Sequence, residues 1–210
     1  MPGWSFAEVW TAIAREVPDR PAVVCGDRTM TWAEFDERAA RLASHLHAAG
    51  VRPGDRVALD LTNVPEYLET LFAAFKIGAT PLNVNYRYLA AEVRYVLENS
   101  GARALVHAPA FAAVVTEAVA GLPDDGVVTL ETGAPYEAAL TAASPTGPWQ
   151  ARAPDGDDLL LLYTGGTTGM PKGVMWRNDD LYVALWQSNR PGTTPKDPVE
   201  AVRAGKRTGT

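Results

Sequence analysis

Cysteine, histidine and positive charge are all scarce in this chain. Its 210 residues include one cysteine, Cys25, and three histidines, and 19 Lys and Arg residues stand against 25 Asp and Glu residues, for a formal net charge of −6. A single cysteine excludes an intrachain disulfide and favours a reducing compartment. Because an acidic chain lacks the concentrated positive surface that duplex nucleic acid requires, we expect no nucleic-acid partner.

Long apolar runs are also missing, although apolar residues make up 47% of the composition. No run approaches the ~18 residues of a membrane-spanning helix. The start, MPGWSFAEVW, lacks the basic region and apolar core of a secretory signal. We therefore predict a cytoplasmic protein without a transmembrane segment, while peripheral contact with a membrane and the oligomeric state stay open.

The histidines do not indicate a metal site. His45 and His47 are two residues apart on a predicted helix and so do not share a face. His107 is isolated in the sequence. We therefore assign no metal-binding residues.

Helix and strand signals alternate over most of the chain. Thr31 and Glu34 form a capping box, and Phe35, Ala39, Leu42 and Leu46 then recur at helical spacing. Further helices are predicted at LAAEVRYVLENS, FAAVVTEAVA, PYEAAL, LYVALWQ and the segment from Pro65, whose apolar face is Leu68, Leu71, Phe72 and Phe75. Strands are predicted at AVVC, which contains Cys25 as a small buried side chain, and at RVALDL, TPLNV, ARALVHA and GVVTL. The alternation predicts an α/β fold, a parallel sheet flanked by helices.

Composition shifts divide the chain into four predicted segments. Residues 1–130 carry the alternating pattern and form an N-terminal α/β subdomain. Residues 131–157, rich in Ala, Pro, Thr, Gly and Asp, form a linker with a short helix. Residues 158–190 start the next subdomain instead of extending the first sheet, with Asn178 as the N-cap of a helix. Residues 191–210 are polar and rich in Pro and Gly, and we expect a truncated tail.

The stretch YTGGTTGMPKGV, from Tyr163 to Val174, carries the strongest chemical signal. Its glycines (Gly165, Gly166 and Gly169) allow backbone amides to approach phosphate oxygens closely, its threonines (Thr164, Thr167 and Thr168) add hydroxyl donors, and Lys172 adds a positive charge. The stretch is not a P-loop, because Gly173 follows the lysine where Ser or Thr is required. The dinucleotide-binding fingerprint GxGxxG is also absent. Since the following run resembles a strand, we predict a strand–loop–strand phosphate clasp near the C-terminal end.

This stretch closely resembles the phosphate-binding signature of the adenylate-forming superfamily, which includes acyl-CoA synthetases, peptide-synthetase adenylation domains and firefly luciferase. Two further stretches agree with this resemblance. The family's N-terminal opening resembles RPAVVCGDRTMTWAEFDERAARLASHLHAAGVRPGDRVAL. Its next block, in the form typical of acyl-CoA synthetases, resembles LFAAFKIGATPLNVNYRYLAAEVRYVLENSGARALV. The resemblance runs from about Trp4 to Trp186. Many members have Ser where this chain has Gly165, which removes one hydroxyl but leaves the amide, and many have His near the position of Asn178.

The resemblance implies the N-terminal part of the large domain of an adenylate-forming enzyme. In the family's reaction a carboxylate attacks the α-phosphate of Mg-ATP, and the thiol of coenzyme A then displaces AMP from the acyl-adenylate. The implied contacts to the β- and γ-phosphates come from Thr164, Gly165, Gly166, Thr167, Thr168, Gly169 and Lys172. Lys172 is the implied catalytic residue, which stabilises charge on the departing pyrophosphate. ATP, Mg²⁺ and coenzyme A are thus implied, with a fatty or similarly hydrophobic acid as substrate.

Three hypotheses about function stay open. In the first, the chain is the N-terminal portion of an AMP-forming acyl-CoA synthetase, unable to complete catalysis alone because no adenine, ribose, Mg²⁺ or acyl site follows Trp186. In the second, an adenylating relative passes the acyl group to the phosphopantetheine thiol of a carrier protein. In the third, the chain is a truncated, non-catalytic module that binds nucleotide or serves as an interaction domain.

Three other stretches are assigned no role in the reaction. The tail AGKRTGT is not a second phosphate loop, because Arg207 stands where Ser or Thr is needed and Glu200 where the first Gly should be. The acidic turn with Asp155, Asp157 and Asp158 is expected to be solvated. The third stretch contains Tyr86, Arg87 and Tyr88, which we expect to anchor a loop. In the alternative interpretation these residues line a surface near the acyl or coenzyme A side.

Overall fold

A computed structural model describes residues 3–122, 126–165, 169–193 and 195–207. Its first part contains helix α1 (Phe6–Glu16), an antiparallel ribbon of β1 (Pro21–Cys25) and β2 (Arg28–Thr31), and helix α2 (Trp32–Ala48). Strands and helices then alternate as β3 (Arg56–Asp60), α3 (Pro65–Lys76), β4 (Thr80–Asn83), α4 (Ala90–Ser100), β5 (Ala102–His107), α5 (Ala112–Val119), β6 (Val128–Glu131) and α6 (Ala134–Ala142). The last part contains β7 (Leu159–Thr164), β8 (Lys172–Arg177), α7 (Asn178–Asn189) and α8 (Pro198–Arg207). Short 3₁₀ turns lie at Pro109–Phe111 and Pro148–Ala151.

Strands β3 to β8 form one six-stranded sheet in the order β6-β5-β3-β4-β7-β8. Every neighbouring pair is parallel except the β7–β8 hairpin. The predicted α/β class, a mostly parallel sheet flanked by helices, is confirmed. From β3 the chain continues to β4 on one side and then returns to β5 on the other. In open α/β sheets such a reversal places ligand sites outside the carboxyl ends of the strands.

Helices cover both faces of this sheet, because side chains along a strand point alternately to opposite faces. Val57 of β3 belongs to a buried cluster with residues of α2, α3 and α6, whereas Ala58 belongs to one with residues of α4 and α5. A third cluster joins the β1–β2 ribbon to the helices through Phe35 and Phe72, which Trp10 of α1 contacts. The core therefore lies on both faces of the sheet.

The prediction for α2 is confirmed in detail. Thr31 Oγ1 accepts a hydrogen bond from the Glu34 amide at 3.2 Å, and Glu34 Oε2 accepts one from the Thr31 amide at 2.7 Å, which closes the capping box. The predicted apolar face is buried, namely Phe35, Ala39, Leu42 and Leu46. Local sequence signals were sufficient here because both the cap and the spacing act within one helix.

The predicted face of α3 is only half correct. Phe72 and Phe75 are buried, but Leu68 is 37% exposed and Leu71 is half-buried. In their place the helix buries Glu69, whose carboxylate pairs with Arg38 of α2 at 2.9 Å. The buried face of α3 therefore includes an ion pair between helices and differs from the one that hydrophobicity predicts.

Strand β7 overturns the expectation that the chain after the linker leaves the first sheet. Leu161 pairs with Leu82 of β4 in parallel register, so β7 extends the sheet. Leu161 and Tyr163 pack with the cluster beneath α4, which explains why this apolar run joins the existing core. The division of the chain into subdomains stays a prediction.

One expectation about the C-terminal part is wrong. Asn178 does not cap α7 but lies inside it, fully buried, where its Oδ1 accepts from the Phe6 amide at 3.0 Å and its Nδ2 donates to the Asp158 carbonyl at 2.7 Å. The tail contains helix α8, which packs against α1 and buries Ala201, and its truncation stays a prediction. Residues 208–210 lie outside the described part of the chain.

Two smaller observations complete the fold. Across the described ranges, no helix is both long enough and apolar enough to cross a membrane. Cys25 is half-buried at the end of β1 instead of buried, because the ribbon lies outside the main sheet, and its Sγ lies 3.8 Å from the Asn63 carbonyl oxygen.

Candidate functional site

The β7–β8 hairpin brings together the two ends of the glycine- and threonine-rich loop. Thr164, the last residue of β7, pairs directly with Lys172, the first residue of β8. Directly paired residues of an antiparallel ladder point to the same face, so the side chains of Thr164 and Lys172 start from adjacent positions on one face of the hairpin. Both residues are exposed to solvent. The predicted strand–loop–strand arrangement is therefore present, with residues 165–171 as the loop.

The glycines around the loop have different structural roles. Gly169 has φ +134°, a conformation that a side chain rarely tolerates. At Gly173 a Cβ would lie 3.1 Å from the ring of Tyr163, a contact so tight that the ring would have to shift. Gly165 has neither restriction. The predicted phosphate ligands Gly166, Thr167 and Thr168 lie outside the described residues, and the role of all seven predicted residues stays a prediction.

Asn83, at the carboxyl end of β4, holds the end of β7 in place. Its Oδ1 accepts a hydrogen bond from the Tyr163 amide at 2.8 Å, and its Nδ2 donates to the Tyr163 carbonyl at 3.2 Å. The side chain thus bonds to the backbone of the residue just before Thr164. Sequence reasoning missed this residue. Its only signal was an asparagine that ends a predicted strand, which does not identify a partner 80 residues away.

The side chain of Tyr163 is held as firmly as its backbone. It is 5% exposed, and its hydroxyl donates to Asn99 Oδ1 of α4 at 2.7 Å. Burial raises the pKa of this phenol, which keeps it a hydrogen-bond donor. The first strand of the hairpin is therefore anchored to the sheet and to α4, and the loop starts from a rigid point.

The connection between β4 and α4 lies beside the loop. Tyr86 stacks on Phe111 with ring centroids 6.5 Å apart, and the guanidinium of Arg87 lies over Tyr86, 5.4 Å from its ring centroid. Tyr88 points elsewhere, since its hydroxyl oxygen lies 3.8 Å from the position that a Cβ at Gly165 would occupy. Tyr86 thus fits the expected anchoring role, whereas Tyr88 adjoins the start of the loop.

The acidic turn before β7 is more ordered than expected. The side chain of Asp158 is only 8% exposed and forms an ion pair with Arg152. In this pair Arg152 Nη1 donates to Asp158 Oδ2 at 2.9 Å. Asp157 pairs with Arg177 of β8. No group of three or more His, Cys, Asp or Glu residues that could hold a metal ion occurs in the described ranges. Asp155 and Asp157 are exposed, as expected, whereas Asp158 is paired and largely buried.

A groove of about 720 Å³ lies away from the loop, among α1, α8 and the Pro148–Ala151 turn. Lys76 lies in its wall, and its Nζ donates to Asp36 at 2.8 Å and to Thr11 at 3.3 Å. Burial lowers the pKa of Lys76, and the charge of Asp36 opposes that shift. Because the ammonium already has partners within the fold, the groove does not compete with the hairpin as the candidate site.

The fold and the hairpin define an α/β protein with a strand–loop–strand clasp at the edge of a mostly parallel sheet. Within that class, the family model described as AMP-binding enzyme matches residues 10–202. The chain belongs to this family.

Characterised relatives are similar to most of this chain. It is 41% identical over 180 residues to a 3-oxocholest-4-en-26-oate–CoA ligase of Rhodococcus rhodochrous, which covers 80% of this chain and 32% of the relative. It is 38% identical over 183 residues to a medium/long-chain-fatty-acid–CoA/3-oxocholest-4-en-26-oate–CoA ligase of Mycobacterium marinum, which covers 81% and 33%. The solved structure of a Mycobacterium tuberculosis fatty acyl CoA synthetase matches with a TM-score of 0.73 at 28% identity, over 91% of this chain and 39% of that one. The chain spans about a third of the length of these curated relatives.

Proposed function

We propose that this chain is part of an AMP-forming acyl-CoA synthetase that activates a fatty or similarly hydrophobic carboxylic acid. The observation that carries the proposal is the β7–β8 hairpin, which pairs Thr164 with Lys172 at the ends of a glycine- and threonine-rich loop in a chain of the AMP-binding family. Relatives named as fatty-acid and steroid-acid CoA ligases support the substrate class. We place the protein in the cytoplasm, a reducing compartment that its single cysteine favours.

The proposed reaction has two steps. A carboxylate oxygen attacks the α-phosphorus of ATP, and as the new P–O bond forms, the bond to the bridging oxygen breaks and pyrophosphate leaves. The sulfur of coenzyme A then attacks the acyl carbon of the adenylate. A thioester forms, AMP leaves, and the thiol proton passes to solvent. The small-molecule partners are therefore the carboxylic acid, ATP and coenzyme A.

In the first step negative charge grows on the departing pyrophosphate. We propose that the ammonium of Lys172 meets a β- or γ-phosphate held by the loop and that Thr164, its partner in the hairpin, adds its hydroxyl. Donors and charges that are already in place stabilise such developing charge without reorganising. The hydrogen bonds from Asn83 to Tyr163 serve this preorganisation, because they fix the point from which the loop departs.

Mg²⁺ accompanies ATP in the family's reaction, and the described residues do not fit a resident metal ion. The carboxylates of Asp157 and Asp158 are already paired with arginines, and the described ranges contain no cluster of metal ligands. We therefore propose that Mg²⁺ enters with ATP and is not held by these carboxylates.

The proposal is tested by ATP–pyrophosphate exchange that depends on added carboxylic acid, measured on the protein at the length at which its own cells make it. We expect exchange with medium- or long-chain fatty acids, and a fall of about 100-fold in its rate for Lys172→Ala, with a smaller change in the KM for ATP. Lys196→Ala, the same change at an exposed lysine outside the loop, is the control.

Two results of that experiment would decide against the proposal. Exchange in Lys172→Ala at the rate of the unsubstituted protein would remove the catalytic role of Lys172. If no carboxylic acid supports exchange, the proposed enzyme activity is wrong. Adding free coenzyme A or a phosphopantetheinylated carrier protein to the same reaction then identifies the acceptor, and thioester formation with free coenzyme A is the expected result.

A further inference from the structure

We propose that the hydroxyl of Tyr88 is a further phosphate-binding group of the loop, which stands in for a side-chain hydroxyl at position 165. The inference rests on the proposed function, and it adds a residue from the β4–α4 connection that the loop motif does not contain.

The first observation is an unpartnered polar atom. The hydroxyl oxygen of Tyr88 is buried, and within the described ranges no group forms a hydrogen bond with it. Buried hydroxyls nearly always have a partner, because a lost hydrogen bond to water is not otherwise replaced. The amide of the same residue is satisfied, since it donates to the Asn85 carbonyl at 2.8 Å. The backbone of Tyr88 is therefore fixed while its hydroxyl lacks an acceptor.

The second observation is the position of this hydroxyl. A Cβ built at Gly165 would lie 3.8 Å from Tyr88 Oη, an ordinary van der Waals distance, so no side chain at position 165 separates the hydroxyl from the loop backbone. The bonds from Asn83 to Tyr163 hold the end of β4 and the start of the loop together. The Tyr88 hydroxyl therefore adjoins Gly165, the first residue of the loop.

The third observation is the charge state of the phenol. Burial and the nearby carboxylate of Glu92 both raise the pKa of Tyr88, so the hydroxyl stays protonated at neutral pH. A neutral phenol can donate to an anionic oxygen, and hydrogen bonds to charged groups are stronger than those between neutral groups. A phosphoryl oxygen is thus the kind of acceptor that this site lacks.

The test is calorimetric titration of this chain with inorganic pyrophosphate. We expect Tyr88→Phe to weaken binding by about tenfold or more, the effect of one hydrogen bond to a charged group. We expect the thermal midpoint of the ligand-free variant to stay constant or rise, because the substitution removes an unpartnered buried hydroxyl. The matched control is Tyr86→Phe, the same change at a residue 48% exposed, which should leave both quantities unchanged.

A rescue variant tests the relation to position 165. Gly165→Ser in the Tyr88→Phe background should recover most of the lost affinity, because Gly165 has room for a side chain and an unrestricted backbone. Gly165→Ala in the same background adds the Cβ without the hydroxyl and should recover nothing.

The outcomes separate this inference from the proposed function. If Lys172→Ala weakens pyrophosphate binding and Tyr88→Phe does not, the role of Tyr88 is wrong and the phosphate loop stands. A loss of affinity in Tyr88→Phe that comes with a lower ligand-free midpoint would assign Tyr88 a structural role and overturn the inference. If the unsubstituted chain does not bind pyrophosphate, the phosphate-binding role of the loop in this chain is wrong, and the inference fails with it.

Discussion

Asp60 offers a prediction in which stability depends on pH. It is the last residue of β3, only 2% exposed, and its Oδ1 has no hydrogen-bond partner in the described ranges. Burial raises its pKa from the ordinary value of 3.8 to about 7. We predict that Asp60→Asn, which keeps the shape and cannot ionise, stabilises the protein at neutral and alkaline pH.

The magnitude follows from linkage between proton binding and folding. The gap between 3.8 and about 7, at about 1.4 kcal/mol per pH unit, corresponds to about 4 kcal/mol as an upper limit. Relaxation of the surroundings of a buried charge reduces this cost, and we expect roughly 2 kcal/mol. The folded state holds the proton more tightly than the unfolded state does. The stabilisation that proton binding at Asp60 provides is therefore complete below pH 3.8 and is lost as the pH rises through about 7.

The measurement is urea unfolding of the two proteins at several pH values between 4.5 and 8.5. The free energy of unfolding of Asp60→Asn relative to the unsubstituted protein should increase across the acidic range and level off above about pH 7. Asp27→Asn, at an exposed aspartate in the β1–β2 turn, controls for the loss of one charge. A difference that is the same at every pH, or one that favours the unsubstituted protein at pH 8, would refute the reasoning.

Three further substitutions test contacts around the site and beneath it. Asn83→Ala should lower the free energy of unfolding by about 1–3 kcal/mol and speed hydrogen exchange of the Tyr163 amide. Asn83→Asp keeps the acceptor and should have an intermediate effect. Unchanged exchange in Asn83→Ala would contradict the anchoring role. Gly173→Ala should destabilise by about 1 kcal/mol in urea unfolding, because its Cβ meets the fixed ring of Tyr163 at 3.1 Å, and a neutral result would show that the ring can move. Glu69→Ala should lower the free energy of unfolding by about 3–5 kcal/mol in the same assay, since it leaves the partly buried Arg38 with fewer partners. A loss below about 1 kcal/mol would show that solvent replaces the lost carboxylate.

Much of the fold could be predicted from short stretches of sequence. The capping box at Thr31 and Glu34, the apolar spacing of α2 and the alternation of strands with helices all depend on neighbours within one element. The loop of the candidate site was also visible in advance, because its glycines, threonines and Lys172 are consecutive in the chain. Its strand–loop–strand form followed from the apolar run after the lysine.

What the sequence could not supply were the contacts between distant parts of the chain. Nothing in TPLNV indicates that Asn83 bonds to Tyr163, and a helix-capping pattern at Asn178 concealed its buried bond to the Phe6 amide. The surroundings of Asp60 and Tyr88 likewise depend on elements brought together by the sheet.

The sequence by itself determined the class of fold and most helices and strands, and it predicted the strand–loop–strand form of the hairpin. The tertiary structure decided that β7 joins the first sheet through Leu161 and that Asn83 anchors the end of β7. It also places the hydroxyl of Tyr88 beside Gly165, with no hydrogen-bond partner among the described residues. The physical reason is range. Propensity, capping and periodicity act over a few residues, whereas burial and hydrogen bonding between elements exist only after the chain has packed.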